Sequence, residues 1–137
     1  MSFKNKFKKS ILIAILFLFG VAVLAAPRKI TLNSLTPNIL CQGLSTLVNF
    51  TVAGNYNFGN KFNVELSDNL GNFSSPTIIG SLFSTNSGTF TVTTDPIIVI
   101  GTGYRIRVRS TNQVVTSGSL SIKIYLHPAL NPIIKLY

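Results

Sequence analysis

Side chains able to do covalent or acid/base chemistry are scarce in this chain. Its 137 residues include three carboxylates, Glu65, Asp68 and Asp95, one histidine, His127, and one cysteine, Cys41. A glycosidase-type site needs two carboxylates at a fixed separation. Glu65 and Asp68 are the near pair, and they point to opposite faces of a strand running through both. With His127 the only histidine, neither a nucleophile triad nor a His-containing metal cluster has the ligands it needs, and His127, just before Pro128, reads as a strand end or surface residue. Gly101-Thr102-Gly103 lacks the third glycine of a dinucleotide loop and precedes a strand pattern, so a nucleotide site is rejected. Asp68 with Asn69 and Asn72 offers a few oxygens, but Ca²⁺ takes six to eight, and the segment reads as a turn. The expectation is a protein that is not an enzyme and uses no cofactor or metal. Cys41 follows Ile39 and Leu40 and reads as a small buried hydrophobe; an intermolecular disulfide is the sharper alternative.

What remains for function is recognition, and two groups of residues offer it. From Tyr104 to Arg109 the types alternate, sending Tyr104, Ile106 and Val108 inward and placing Arg105, Arg107 and Arg109 in an outward row. With neighbouring strands in the same sheet, Lys61 and Glu65 flank this row on one side, and Lys123 and Tyr125 on the other. Such a basic face suits acidic polysaccharide, lipopolysaccharide phosphate or nucleic acid through bidentate Arg contacts, or is a solvated sheet face whose like charges discourage edge pairing. The second group is aromatic. Tyr56, Phe58 and Phe73 lie in Gly- and Asn-rich connections where a sugar ring can stack.

The elements that must carry these residues read as strands. From Pro27 onward, short runs of β-branched and aromatic residues alternate between Ser, Thr, Asn and Gly clusters, with no helical periodicity. Strands are expected at Lys29 to Leu32, Thr46 to Val52, Lys61 to Ser67, Thr77 to Phe83, around Phe90 and Val92, from Tyr104 through Val108, and from Leu120 to Leu126. Inward positions include Phe50, Phe62, Ile106 and Ile122, and the Asp68 to Asn72 segment has turn chemistry. Seven short strands at regular spacing imply an all-β, seven-stranded antiparallel sandwich of the immunoglobulin-like kind. Tyr104, after the Gly101-Thr102-Gly103 turn, occupies the place where such domains set a tyrosine whose hydroxyl bonds back to upstream backbone. Without a Trp in the third strand or a cysteine pair between sheets, the affinity leans towards fibronectin III.

The order Cys41-Gln42-Gly43, Gly54 to Phe58, Gly59-Asn60-Lys61-Phe62, Leu66-Ser67-Asp68, Gly71-Asn72-Phe73, Pro76, Ile79-Gly80, Gly88 and Gly101-Thr102-Gly103-Tyr104-Arg105-Ile106-Arg107-Val108 resembles the immunoglobulin-like repeats of large surface and secreted proteins of Bacteroidota. The resemblance spans about Ile30 to Leu126. It implies an extracellular spacer or adhesion module, normally in tandem and often followed by a C-terminal sorting domain; this chain holds one copy and no internal repeat. It also implies that Phe58 and Phe73 plug the ends of the sandwich, which leaves Tyr56 as the expected exposed stacking residue.

The N-terminus has the order of an export signal: basic residues up to Lys9, an apolar run from Ile11 to Ala26, and Val23 and Ala25 spaced for cleavage after Ala25. The apolar run is shorter than the roughly 20 residues of a membrane span, so membrane attachment would come only through an uncleaved signal. The expected division is therefore 1–25 signal peptide, 26–127 sandwich domain and 128–137 an apolar, Pro-containing tail. The tail is read first as a packed or frayed end, then as a linker, then as a donated strand. Removing Lys4, Lys6, Lys8 and Lys9 from the 12 basic residues leaves 8 against 3 acidic ones, a mature balance of +5. The expected protein is exported to the periplasm, cell surface or outside of the cell, with a structural or adhesive role. Its expected partners are acidic polysaccharide or other cell-surface proteins, with no specific nucleic acid. The alternative is a carbohydrate-binding module working through loop aromatics or the basic face.

Overall fold

A computed structural model describes residues 24–128, so the signal segment up to residue 23 and the tail beyond residue 128 lie outside the described residues. The described residues are all-β, with nine strand segments and no α-helix: β1 (Lys29–Thr36), β2 (Ile39–Cys41), β3 (Ser45–Ala53), β4 (Lys61–Leu66), β5 (Thr77–Phe83), β6 (Gly88–Thr93), β7 (Arg105–Ser110), β8 (Leu120–Ser121) and β9 (Lys123–Tyr125). They form an antiparallel three-stranded sheet in the order β1-β3-β6, an antiparallel four-stranded sheet in the order β5-β4-β7-β8, and a short parallel pair, β2 with β9.

Period-two alternation builds both larger sheets. Val48 and Phe50 on β3, Val92 on β6, Phe62 and Val64 on β4, and Ile106 and Val108 on β7 are nearly or fully inaccessible, and together with Ile122 and Ile124 they make one core. The rings of Phe50 and Phe62, one from each sheet, lie 4.8 Å apart between centroids in a tilted arrangement. Each large apolar side chain withdrawn from water here contributes about 1.5–3 kcal/mol, and with a free Cys41 the described fold holds by packing.

Nine segments stand where seven strands were expected, for two physical reasons. The first strand continues past Leu32 through a bulge, where the register shifts between Leu32 and Ser34. That extra residue advances the inward phase by one and brings Leu35 to the core, so the alternation that ends at Leu32 resumes out of step. Beyond Thr36-Pro37, a cis peptide, the chain leaves β3 and pairs as β2 with β9. The last strand is broken at Ile122, whose amide donates to the Tyr104 carbonyl at 3.0 Å, leaving β8 on β7 and β9 on β2.

These elements have two poles. At one lie residues 26–28, where Arg28 Nε donates to the Asn55 carbonyl at 2.6 Å, together with the β3–β4, β5–β6 and β7–β8 connections. At the other, Tyr125 accepts from the Gln42 amide at 2.9 Å, and His127 sits half-buried beside Gly43, Leu44 and Pro96. The nine residues of β3 separate the poles by about 30 Å.

Candidate functional site

Strand β7 lies between β4 and β8 and carries Arg105, Arg107 and Arg109 outward, as the alternation requires. Its register places Arg107 opposite Glu65 and Arg109 opposite Asn63 on β4. Arg107 Nε donates to Glu65 Oε2 at 2.7 Å, and Arg109 Nη1 lies 3.6 Å from Glu65 Oε1. The Glu65 side chain is only 5% exposed, although alternation points it away from the core. Arg107, which closes the ion pair with Glu65, has the Phe73 ring on its other side, the ring centroid 4.2 Å from Arg107 Cζ. The guanidinium is thus held on one edge by a carboxylate and on one face by an aromatic ring, a combination that restricts its rotamers and leaves the side chain 23% exposed. Arg105 is tied as well, donating from Nε to Ser119 Oγ at 2.8 Å and from Nη2 to the Ser119 carbonyl at 3.3 Å.

The basic row is therefore present but braced and partly neutralised. Lys61 lies on the same outward face at the start of β4, with its ammonium 4.9 Å from the ring centroid of Phe83, its partner on β5. Lys123 and Tyr125 face outward from β9, but that segment pairs with β2 and does not extend the sheet alongside Arg107 and Arg109. They sit beyond the Arg105 end of the row, which corrects the expected flanking arrangement. The break at Ile122 is the cause.

Tyr104 occupies the expected corner. It is buried, and its hydroxyl donates to the Val99 carbonyl at 2.7 Å. Burial raises its phenol above the ordinary 10.0, and the negative Asp68 nearby adds to the rise. The turn that approaches it requires glycine at 103, where a Cβ would stand 2.3 Å from the Asn69 carbonyl oxygen. Asp68 itself caps the 68–72 turn: its Oδ1 accepts from the Leu70 amide at 3.0 Å and the Asn72 amide at 2.8 Å. These bonds, Asn72's foremost, hold the carboxyl below its ordinary 3.8. Asp68 is spent on the turn. Among the described residues no group of three or more His, Cys, Asp or Glu side chains is placed to hold a metal.

The loop aromatics are arranged differently from the expectation. Tyr56 is not an exposed stacking residue: it is 7% exposed, and its ring packs edge-on against Phe62 at 5.3 Å between centroids. Burial raises its phenol above the ordinary 10.0 against an opposing influence from Arg28, and its hydroxyl has no partner among the described protein atoms. Phe73 stacks on the outer sheet face and does not plug a pole. Phe58 is fully exposed. It shares an open cleft of about 440 Å³ with Phe83, itself 74% exposed, and the cleft is completed by Gly59, Asn60, Ser84, Thr85 and Asn86. Sequence reasoning missed this cleft because two distant connections build it. The one local signal is Phe83, an aromatic at an outward end position of β5.

No family model matches the chain, and no curated protein matches it.

Proposed function

We propose that the chain is an exported, non-enzymatic immunoglobulin-like module with a structural or adhesive role at the cell surface. The observation that carries this reading is the polar arrangement of the sandwich-like body, which takes the chain in at one pole and releases it about 30 Å away at the other. A module built this way transmits position along an axis while its faces stay available for contact. The strand order supports the immunoglobulin-like class, and within it the fibronectin III side. Strand β5 pairs with β4 and not with β6, giving sheets of three and four strands. The Tyr104 corner supports it too. The braced basic row supports adhesion to acidic polysaccharide, since guanidinium groups already fixed in place lose less freedom on binding.

The reading is tested in the source cells and in solution. Fractionation and N-terminal sequencing are expected to find the protein outside the cytoplasm, beginning at Ala26; cytoplasmic retention refutes it. Binding to polygalacturonate across a salt series separates the two roles. Saturable binding that weakens with salt, and weakens further in an Arg109→Gln/Lys123→Gln variant, makes the module adhesive, whereas no binding at low salt makes it a spacer.

A further inference from the structure

The cleft beneath Phe58 and Phe83 has the construction of a ligand site. Its floor is Asn60, 1% exposed, which ties three connections together: Nδ2 donates to the Ser84 carbonyl at 3.0 Å, Oδ1 accepts from the Asn112 amide at 3.1 Å, and the Asn60 carbonyl accepts from the Ser84 amide at 3.2 Å. The Ser84 hydroxyl accepts from the Asn86 amide at 2.9 Å and donates to the Asn86 carbonyl at 3.1 Å, fixing the β5–β6 turn that forms one wall. On the other wall, Gly59 holds a positive φ of 82° with open space where a Cβ would stand, and Phe58 projects beside it. The two rings are exposed on a scaffold that does not need them for packing.

We propose that this cleft binds a neutral oligosaccharide. Sugars present apolar C–H faces that stack on aromatic rings and hydroxyl edges that both donate and accept, and the lining supplies each counterpart: Phe58 and Phe83 for the faces, Thr85 and Asn86 for the edges. The volume falls within the range of about 300–1,000 Å³ found for small-molecule sites. An anionic ligand would call for cations aimed inward, and the lysine beside the cleft, Lys61, has its ammonium over the Phe83 ring. An apolar peptide would call for apolar walls, and amides and hydroxyls separate the rings. The proposal rests on the exported-module reading, because that reading places the cleft where glycans occur, and it assigns that module a ligand and a site distinct from the basic row.

The test is titration of the ¹⁵N-labelled protein, freed of its signal by export, with cellohexaose, laminarihexaose, maltohexaose and mannohexaose. At least one is expected to give saturable shifts of the Gly59, Asn60 and Asn86 amides that persist at high salt. Phe58→Ala and Phe83→Ala are each expected to weaken binding about 10-fold or more, the scale of one lost anchor. The fully exposed Phe58 makes the first of these safe for the fold, which an unchanged melting temperature verifies. No saturable shift from any of the four at about 10 mM, binding that survives Phe58→Ala/Phe83→Ala, or binding abolished by salt overturns the proposal. None of these outcomes touches the fractionation result, so failure of the cleft and failure of the exported module are separately visible.

Discussion

Replacing Arg107 with leucine tests the account of the outer sheet face. The substitution keeps a bulky stem on β7 but removes the 2.7 Å charge-assisted bond to Glu65 and the cation stacked on Phe73. Glu65 is then left 5% exposed with only Arg109, at 3.6 Å, as a counter-charge. Stranding one member of a buried pair costs about 3–5 kcal/mol. Arg107 is 23% exposed and Arg109 remains, which lowers the expectation to about 2–3 kcal/mol. With a urea dependence of about 1 kcal/mol per molar for a domain of this size, the unfolding midpoint followed by far-ultraviolet circular dichroism falls by about 2–3 M. The Glu65→Leu/Arg107→Leu double variant is expected to recover about 1–2 kcal/mol of the loss, since it no longer buries an orphaned carboxylate. A single variant within about 0.5 kcal/mol of the parent, or a double variant no more stable than the single, refutes the reasoning. The same experiment bears on recognition, because a side chain that holds Glu65 in place cannot be exchanged to probe a ligand without disturbing its sheet.

The two buried tyrosines are expected to respond differently to loss of the hydroxyl. Tyr104→Phe leaves the Val99 carbonyl without its 2.7 Å donor and costs about 1–2 kcal/mol. Tyr56→Phe removes a hydroxyl without a protein partner and changes stability by less than about 0.5 kcal/mol; thermal melts of both variants separate the cases, and equal effects would contradict the assignment. The Asp68 turn is expected to loosen in acid. Its carboxyl is held below 3.8 in the folded chain, so the stabilising anion is complete above that value and is lost as pH falls through the lowered one. The amide shift of Asn72 should follow this transition at low pH and lose it in Asp68→Asn.

The parts of this molecule legible in its sequence are those governed by local period. Phe62, Val64 and Leu66 on β4 and Ile106 and Val108 on β7 face inward as their spacing requires, and β5 has the expected limits, Thr77–Phe83. The corner hydroxyl of Tyr104 was legible too, because the flanking glycines and the strand start are adjacent in the chain. Tyr56 and Phe58 show where such reasoning stops. They share a Gly- and Asn-rich connection with no period, and the choice of which ring turns inward is made by Phe62, which receives Tyr56. The burial of Glu65 escapes period for a related reason, since what an outward residue of β4 meets is set by its register partner on β7, here Arg107. The cleft is non-local in the same sense. Residues 58–60 and 83–86 meet through the pairing of Lys61 with Phe83, a register that neither segment encodes alone.

The departure of the chain from β3 to pair as β2 with β9 ties the opening and closing segments of the described chain side by side. Ile39, Leu40 and Cys41 run parallel to Lys123, Ile124 and Tyr125. A pull applied towards the two poles is directed along these strands, across the direction of their hydrogen bonds, so the bonds of the patch strain together and must yield together. An antiparallel hairpin drawn apart at its open end would instead lose its bonds one after another. The clasp between β2 and β9 therefore sets its bonds to resist, all at once, a stretch along the axis that joins the two poles.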